Sequence, residues 1–233
     1  MAGSIVYTTM LFATAVFFGS LIVVCGWLPV RYLFGFARGW ARTQLFMLRY
    51  LCGLTFTVQG TQNIPAGCHV SLWKHSSAWE TIAQMVLFPP QAWVIKREIL
   101  WIPFAGWATR LLSPIAINRS SGGTAVNQVV NQGKQRLASG LWVLVFPEGT
   151  RVPVRTTRRY GISGALLASQ AGCLVVPVAH DAGLYWGRRA LFKRPGVIHV
   201  VIGEPIPTQG RDAREINEQA RAWIDSTVAA LGA

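Results

Sequence analysis

The sequence predicts an α/β domain, with a central sheet flanked by helices, behind an N-terminal membrane helix or helical hairpin. Three observations carry this reading. Residues 5–28 form an uncharged apolar run, residues 30–52 an amphipathic stretch with arginines on one side, and from Gly53 onward short apolar runs alternate with stretches of helical periodicity. At 233 residues the chain has room for one such domain and an appendage, but is short for two full domains.

The apolar run comes first. Its twenty-four residues would rise about 36 Å as a helix, enough for the roughly 30 Å hydrocarbon core with some tilt. The alternative, a cleaved signal peptide, fits less well. The preceding MAGS has no positive charge, and no small-residue cleavage site follows.

In the next stretch Arg31, Arg38, Arg42 and Arg49 recur at intervals of seven, four and seven, which places them on one helical stripe. Leu33, Phe36, Trp40, Met47 and Leu51 collect opposite. This is the pattern of an interfacial helix with arginines toward phosphate headgroups; a helix packed on the globular domain with a solvated arginine stripe is the alternative. Residues 1–52 are therefore expected to anchor the chain and residues 53–233 to form the catalytic domain. The arginines follow the apolar segment, so the positive-inside rule puts the domain on the cytoplasmic side of the inner membrane.

Beyond Gly53, strands are expected at 69–72, 92–95, 115–117, 141–146, 174–178 and 197–202, several continuous enough to be buried on both faces. Helices are expected near 79–87, 124–139, 162–170 and 212–231, the last with Asp212 as its cap.

Composition narrows the partners. Half the residues (52%) are hydrophobic, only 13% are charged, and the net charge is +13. A basic chain this apolar suits an anionic bilayer or phosphorylated lipid rather than nucleic acid. The four cysteines are scattered, with no C-x-x-C pair, which fits a reducing compartment and argues against a zinc or disulfide framework.

Chemistry concentrates after strand ends. His75 follows the 69–72 strand, and Glu80 stands five positions on at a helix start. A histidine oriented by a carboxylate can take a proton from an alcohol. Ser77-Ala78-Trp79-Glu80 also matches a capping box, in which the glutamate bonds back to an amide. The residues leave both roles open.

The loop after 141–146, Phe146-Pro147-Glu148-Gly149-Thr150-Arg151, gathers amides, a hydroxyl and a guanidinium. That equipment suits a phosphate beside a polyol, with Arg151 on phosphate oxygens and Glu148 accepting from a hydroxyl. Arg119 ends the 115–117 strand in the same way. His180 and Asp181 form a second acid/base pair, read as structural or at the substrate rim; His69 and His199 lie in apolar strands and are expected in the core.

Taken together, His75-x4-Glu80, Ile117-Asn118-Arg119, Phe146–Arg151 and Val176-Pro177-Val178 resemble, in order and spacing, the four blocks of the glycerolipid acyltransferases, with the bacterial 1-acylglycerol-3-phosphate acyltransferases nearest in pattern. The resemblance covers residues 55–205, and its most specific element is FPEGTR. Three positions depart from the usual pattern: Glu80 stands for aspartate, Asn118 for aspartate and Lys74 for asparagine.

The resemblance implies a mixed central sheet of the glycerol-phosphate acyltransferase-like type. It implies esterification of the sn-2 hydroxyl of lysophosphatidic acid by an acyl-CoA or acyl-carrier-protein thioester, with no bound cofactor and no metal. His75 is the implied base, oriented by Glu80. Arg119 and Arg151, helped by Lys96, hold the phosphate. Amides at Gly149 and Thr150, or near Ser76 and Ser77, are candidate oxyanion donors. A different lyso-lipid acceptor is the alternative, and a non-catalytic module for anionic membranes is a further one.

Overall fold

A computed structural model describes residues 1–118 and 123–233. Two long helices lead, α1 (Ala2–Val24) and α2 (Val30–Cys52). The α/β domain follows as β1 (Leu54–Gln59), β2 (Val70–Trp73), α3 (Trp79–Leu87), β3 (Gln91–Lys96), α4 (Ala105–Leu111), β4 (Ile115–Ile117), α5 (Gly123–Ala138), β5 (Trp142–Val145), α6 (Ser163–Ala171), β6 (Val175–His180), α7 (Ala182–Tyr185), β7 (Gly196–Ile202) and α8 (Ala213–Ala230).

The seven strands form one sheet in the order β1-β7-β6-β2-β5-β3-β4. All pairings are parallel except β6 with β7, so the sheet is mixed, as expected. Strands β2, β5 and β6 are buried throughout, and their period of two sorts each strand onto two faces. Trp73, Leu144, Val176 and Val178 join the core shared with α2 and α3. Val70, Val143, Val145 and Val175 join the core under α5, α6 and α8. Continuous apolar runs were legible in the sequence because both faces of these strands are covered.

Strand β1 is absent from the sequence reading. Leu54, Thr55, Phe56, Thr57, Val58 and Gln59 alternate rather than run apolar, because this is an edge strand paired only with β7. The short helices α4 and α7 also gave no sequence signal. Helix α8 starts where expected, with the Asp212 carboxylate accepting from the Arg214 amide at 2.9 Å; a cap of this kind contributes about 1 kcal/mol.

Helices α1 and α2 pack as a hairpin so close at its open end that a Cβ on Gly3 would meet the Leu51 carbonyl oxygen. Helix α1 is long and apolar enough to cross a membrane. It also lies against α4, where Gly19 approaches Phe104. Helix α2 turns Leu33, Phe34, Ala37, Ala41, Gln44 and Leu48 into the protein. Leu33, expected on the lipid face, is therefore protein-buried, while Phe36, Trp40 and Met47 pack partly on the core. Arg38 leaves the headgroup stripe as well: its guanidinium donates to the Met85 and Phe88 carbonyls, both at 3.0 Å, capping the end of α3.

Candidate active site

Parallel strands deliver their C-terminal ends to one edge of a sheet, where loops can meet. Here the neighbours β6, β2, β5, β3 and β4 bring His180, His75, the 146–151 loop, Lys96 and Asn118 to that edge in a row. Residues more than a hundred positions apart thus become neighbours. Arg119 follows Asn118 but lies outside the described residues.

His75 sits just past β2, with its side chain 14% exposed. Its Nδ1 is 2.8 Å from Glu80 Oε1, and its ring stacks on Phe146 at 4.0 Å between centroids. Among the described residues Nε2 takes no hydrogen bond. With Nδ1–H donated to the carboxylate, Nε2 is the basic nitrogen.

Glu80 is fully buried at the start of α3. Its Oε1 accepts from His75 and also from the Ser76 and Ser77 amides at 3.0 and 2.8 Å, and Ser77 Oγ accepts from the Trp79 amide. The capping and imidazole-orienting contacts therefore coexist on a single oxygen. Burial alone would raise this carboxyl, but the His75 bond, the nearby His180 and the Ser77 amide outweigh it and hold it below the ordinary glutamate range.

Glu148 is placed differently from its expected position on a substrate hydroxyl. It is buried, with Oε1 on Lys74 Nζ at 2.5 Å and Oε2 accepting from the His75 amide at 2.6 Å. Both oxygens are engaged inside the protein, so the carboxylate holds the backbone that presents His75. Burial pushes it above the ordinary glutamate range despite the Lys74 ammonium. Lys74, to which the sequence assigned no role, is the buried partner. Nothing in the sequence pairs two residues 74 positions apart.

The loop is tied to His75 a second time by the Val152 amide, which donates to the His75 carbonyl at 2.8 Å. Gly149 adopts φ 69°, a left-handed conformation that glycine tolerates at no steric cost, and its amide closes a turn on Phe146. The Ser76 and Ser77 amides are occupied by Glu80, which leaves Thr150 N as the one amide of those four without a hydrogen-bond partner among the described residues. Arg151 is half-buried and Lys96 exposed.

Beside Phe146 and Arg151 lies a cavity of about 350 Å³ that runs between the helical hairpin and the domain. Ala15, Phe18 and Ile22 of α1, Trp40 of α2 and Met85 of α3 line it. Its walls are mostly apolar, with Arg151 among the residues that line it.

The other candidates fall elsewhere. His199 is an exposed residue whose Nδ1 and amide lie 2.9 and 2.8 Å from the Asp181 carboxylate, because alternate residues of β7 face outward. His69 is half-buried ahead of β2 and accepts from the Leu174 amide. Cys68 and Cys173 precede β2 and β6, at the edge of the sheet opposite His75. Burial raises both thiols, Cys173 to about 11, so neither is the thiolate a nucleophile requires. Among the described residues no three His, Cys, Asp or Glu side chains gather as metal ligands.

A histidine–glutamate dyad at the strand ends of an α/β sheet, beside an apolar cavity, is the arrangement of a transferase that activates a hydroxyl next to a hydrophobic substrate. An acyltransferase family model matches residues 55–181, more than half the chain. Over 233 residues the sequence is 40% identical to the 1-acyl-sn-glycerol-3-phosphate acyltransferase of Pseudomonas aeruginosa, covering 98% of this chain and 91% of that protein. A second relative, the lyso-ornithine lipid O-acyltransferase of the same organism, is 29% identical over 78% of this chain and 76% of its own length. The fold matches the crystal structure of the 1-acyl-sn-glycerophosphate (LPA) acyltransferase of Thermotoga maritima with TM-score 0.81, covering 99% of this chain and 95% of that one at 20% identity. The chain belongs to the acyltransferase family.

Proposed function

We propose that the protein transfers a fatty acyl group from an acyl thioester to the sn-2 hydroxyl of lysophosphatidic acid, giving phosphatidic acid. The observation that carries the reading is the Nε2 of His75, unbonded among the described residues and backed by Glu80, beside an apolar cavity lined in part by Arg151. Nε2 takes the hydroxyl proton as the oxygen attacks the thioester carbonyl. Glu80 stabilises the imidazolium, which then returns the proton to the departing thiolate. The acyl chain lies in the cavity. Arg151 and Arg119, with Lys96, hold the phosphate, and the Thr150 amide is the oxyanion donor that the loop leaves available. Lys74 and Glu148 position the His75 backbone.

Residues 1–52 anchor the enzyme, and residues 53–233 carry the chemistry. The exposed Ile5, Val6, Met10, Phe12, Val16 and Phe17 form the lipid-facing side of α1. Both ends of α1 are held on the domain, by Lys193 at Ser4 and Thr8 and by α4 at Gly19, which supports a hairpin entering one leaflet. The cytoplasmic face of the inner membrane, where acyl-CoA and acyl-carrier protein are found, is the side that supplies the donor.

The test is purified protein with lysophosphatidic acid and matched acyl-CoA or acyl-carrier-protein thioesters, with phosphatidic acid and free thiol measured together. Stoichiometric appearance of both, lost in His75→Ala, is expected; wild-type protein that makes neither overturns the proposal. A lyso-aminolipid acceptor is the second reading, motivated by the lyso-ornithine lipid relative. It predicts turnover of the aminolipid that is insensitive to Arg151→Gln.

A further inference from the structure

The dyad leaves one atom unexplained. Glu80 Oε1 accepts three hydrogen bonds, whereas Oε2, on the same fully buried side chain, accepts none. An ionised oxygen buried without a donor is costly. The polar group that faces it is His180 Nε2, at 3.9 Å.

His180 ends β6, the strand beside β2. It is completely buried, with Trp73 and Trp79 flanking its ring. Its two nitrogens are differentiated. Nδ1 accepts from the Ala182 amide at 3.3 Å, so the ring proton resides on Nε2, which donates to the Lys74 carbonyl at 2.9 Å. Lys74 is where β2 leaves the sheet: its amide still bonds Val178, and the next residue is His75. One N–H thus pins the backbone immediately ahead of the base, and the nitrogen that carries it stands 3.9 Å from the unbonded oxygen of the carboxylate behind the base.

Resting on the reading of His75 and Glu80 as base and orienting acid, we propose that His180 is a positioning residue of the acyl transfer. As a neutral Nε2–H imidazole, it fixes the exit of β2 through the Lys74 carbonyl and sets the polar edge of its ring beside Glu80 Oε2, at 3.9 Å.

Neutrality matters for the charge balance. Burial lowers the proton affinity of His180 more than Glu80 raises it. The charged and titratable groups around the dyad are His75 and Glu80 themselves, the Lys74–Glu148 pair on the His75 amide, His180, and Asp181, whose carboxylate is engaged by His199. With His180 neutral, Glu80 is the carboxylate beside His75 that no neighbouring cation neutralises, since Glu148 is paired with Lys74, and it is free to stabilise the imidazolium in the transition state. A protonated His180 would compete for it.

The experiment uses the full chain and two substitutions. His180→Met keeps bulk but removes the donor; His180→Gln keeps an N–H at the position of Nε2. For His180→Met the expected result is a fall in kcat of at least about tenfold, with KM for both substrates within about twofold. The acidic limb of kcat/KM should also move upward in pH, because the less compensated carboxylate strengthens its hold on the protonated base. His180→Gln should restore kcat to within about threefold of wild type and return the limb. A His180→Met enzyme with wild-type kcat and pH profile overturns the proposal, as does a folded His180→Gln enzyme impaired as severely as His180→Met.

An activity-independent arm keeps the proposal testable if His180→Met does not fold. Ring-labelled histidine NMR of the wild-type protein should show His180 as the neutral Nε2–H tautomer across the neutral pH range. Protonation of His180 in that range, or an Nδ1–H tautomer, overturns it. Failure of His75→Ala to abolish turnover would instead overturn the reading of the base, a separate result.

Discussion

Three donors on one oxygen of Glu80, two of them backbone amides, mean that its shape and its charge can be separated by one substitution. Glu80→Gln retains an oxygen for the Ser76 and Ser77 amides but loses the negative charge that stabilises an imidazolium. Turnover should fall by about a hundredfold or more, while the melting temperature at neutral pH drops by only a few degrees. Kinetics and thermal unfolding on the same preparation check this, and near-normal turnover would reduce Glu80 to a helix cap. The pH dependence follows from the direction of its shift. The folded value lies below the ordinary glutamate range, so the ionised group favours folding above its unfolded pKa of about 4.3. That contribution is lost as pH falls through the folded value. The stability gap between wild type and Glu80→Gln should therefore shrink below about pH 4, as melting curves across pH would show. His75 and Glu80 were legible as a pair because five positions around a strand-to-helix turn keep them local. The Lys74–Glu148 pair was not, since it depends on β2 and β5 lying side by side.

Arginine spacing on α2 was read correctly as a helical stripe, yet its four members do different things. Arg31, Arg42 and Arg49 are exposed, whereas Arg38 caps the Met85 and Phe88 carbonyls of α3. Arg38→Ala leaves those acceptors without protein partners and should cost about 1–2 kcal/mol, against less than about 0.5 for Arg42→Ala. Unfolding in matched detergent measures both, and equal effects would mean that the cap contributes nothing. Periodicity locates a helix and its polar side. It carries no information on which residue of that side meets a neighbouring helix end. Edge strand β1 makes the same point for sheets: its alternation of Leu54, Phe56 and Val58 with Thr55, Thr57 and Gln59 is a half-buried signature, quieter than the continuous runs of β2, β5 and β6.

The cavity belongs to the whole molecule, because helix α1 of the N-terminal hairpin supplies one wall and α3, β3 and α4 supply others. The N-terminal hairpin and the domain are therefore joined at this cavity. Ala15→Trp should fill part of the space and shift preference toward shorter acyl donors, with kcat/KM for a long chain falling about tenfold or more relative to a short one. A panel of acyl-CoA lengths reads this directly, and an unchanged profile would place the acyl chain elsewhere. Gly3 makes the same connection by packing, for its α-carbon lies where α1 and α2 allow no side chain against Leu51.

By itself the sequence determined the features that are local or periodic: the apolar first helix, the arginine stripe, the buried strands, the His75–Glu80 spacing and the FPEGTR loop. Each is written in neighbouring residues, and side-chain chemistry repeats at the spacing of a helix or strand. Only the tertiary structure decided which strand ends stand together, that Glu148 turns inward to Lys74, that His199 faces outward while His180 stands behind Glu80, and that the N-terminal hairpin walls the cavity. Those outcomes depend on the order of strands in the sheet and on helices packed across it, and contacts between residues distant in the chain leave no periodic trace in it.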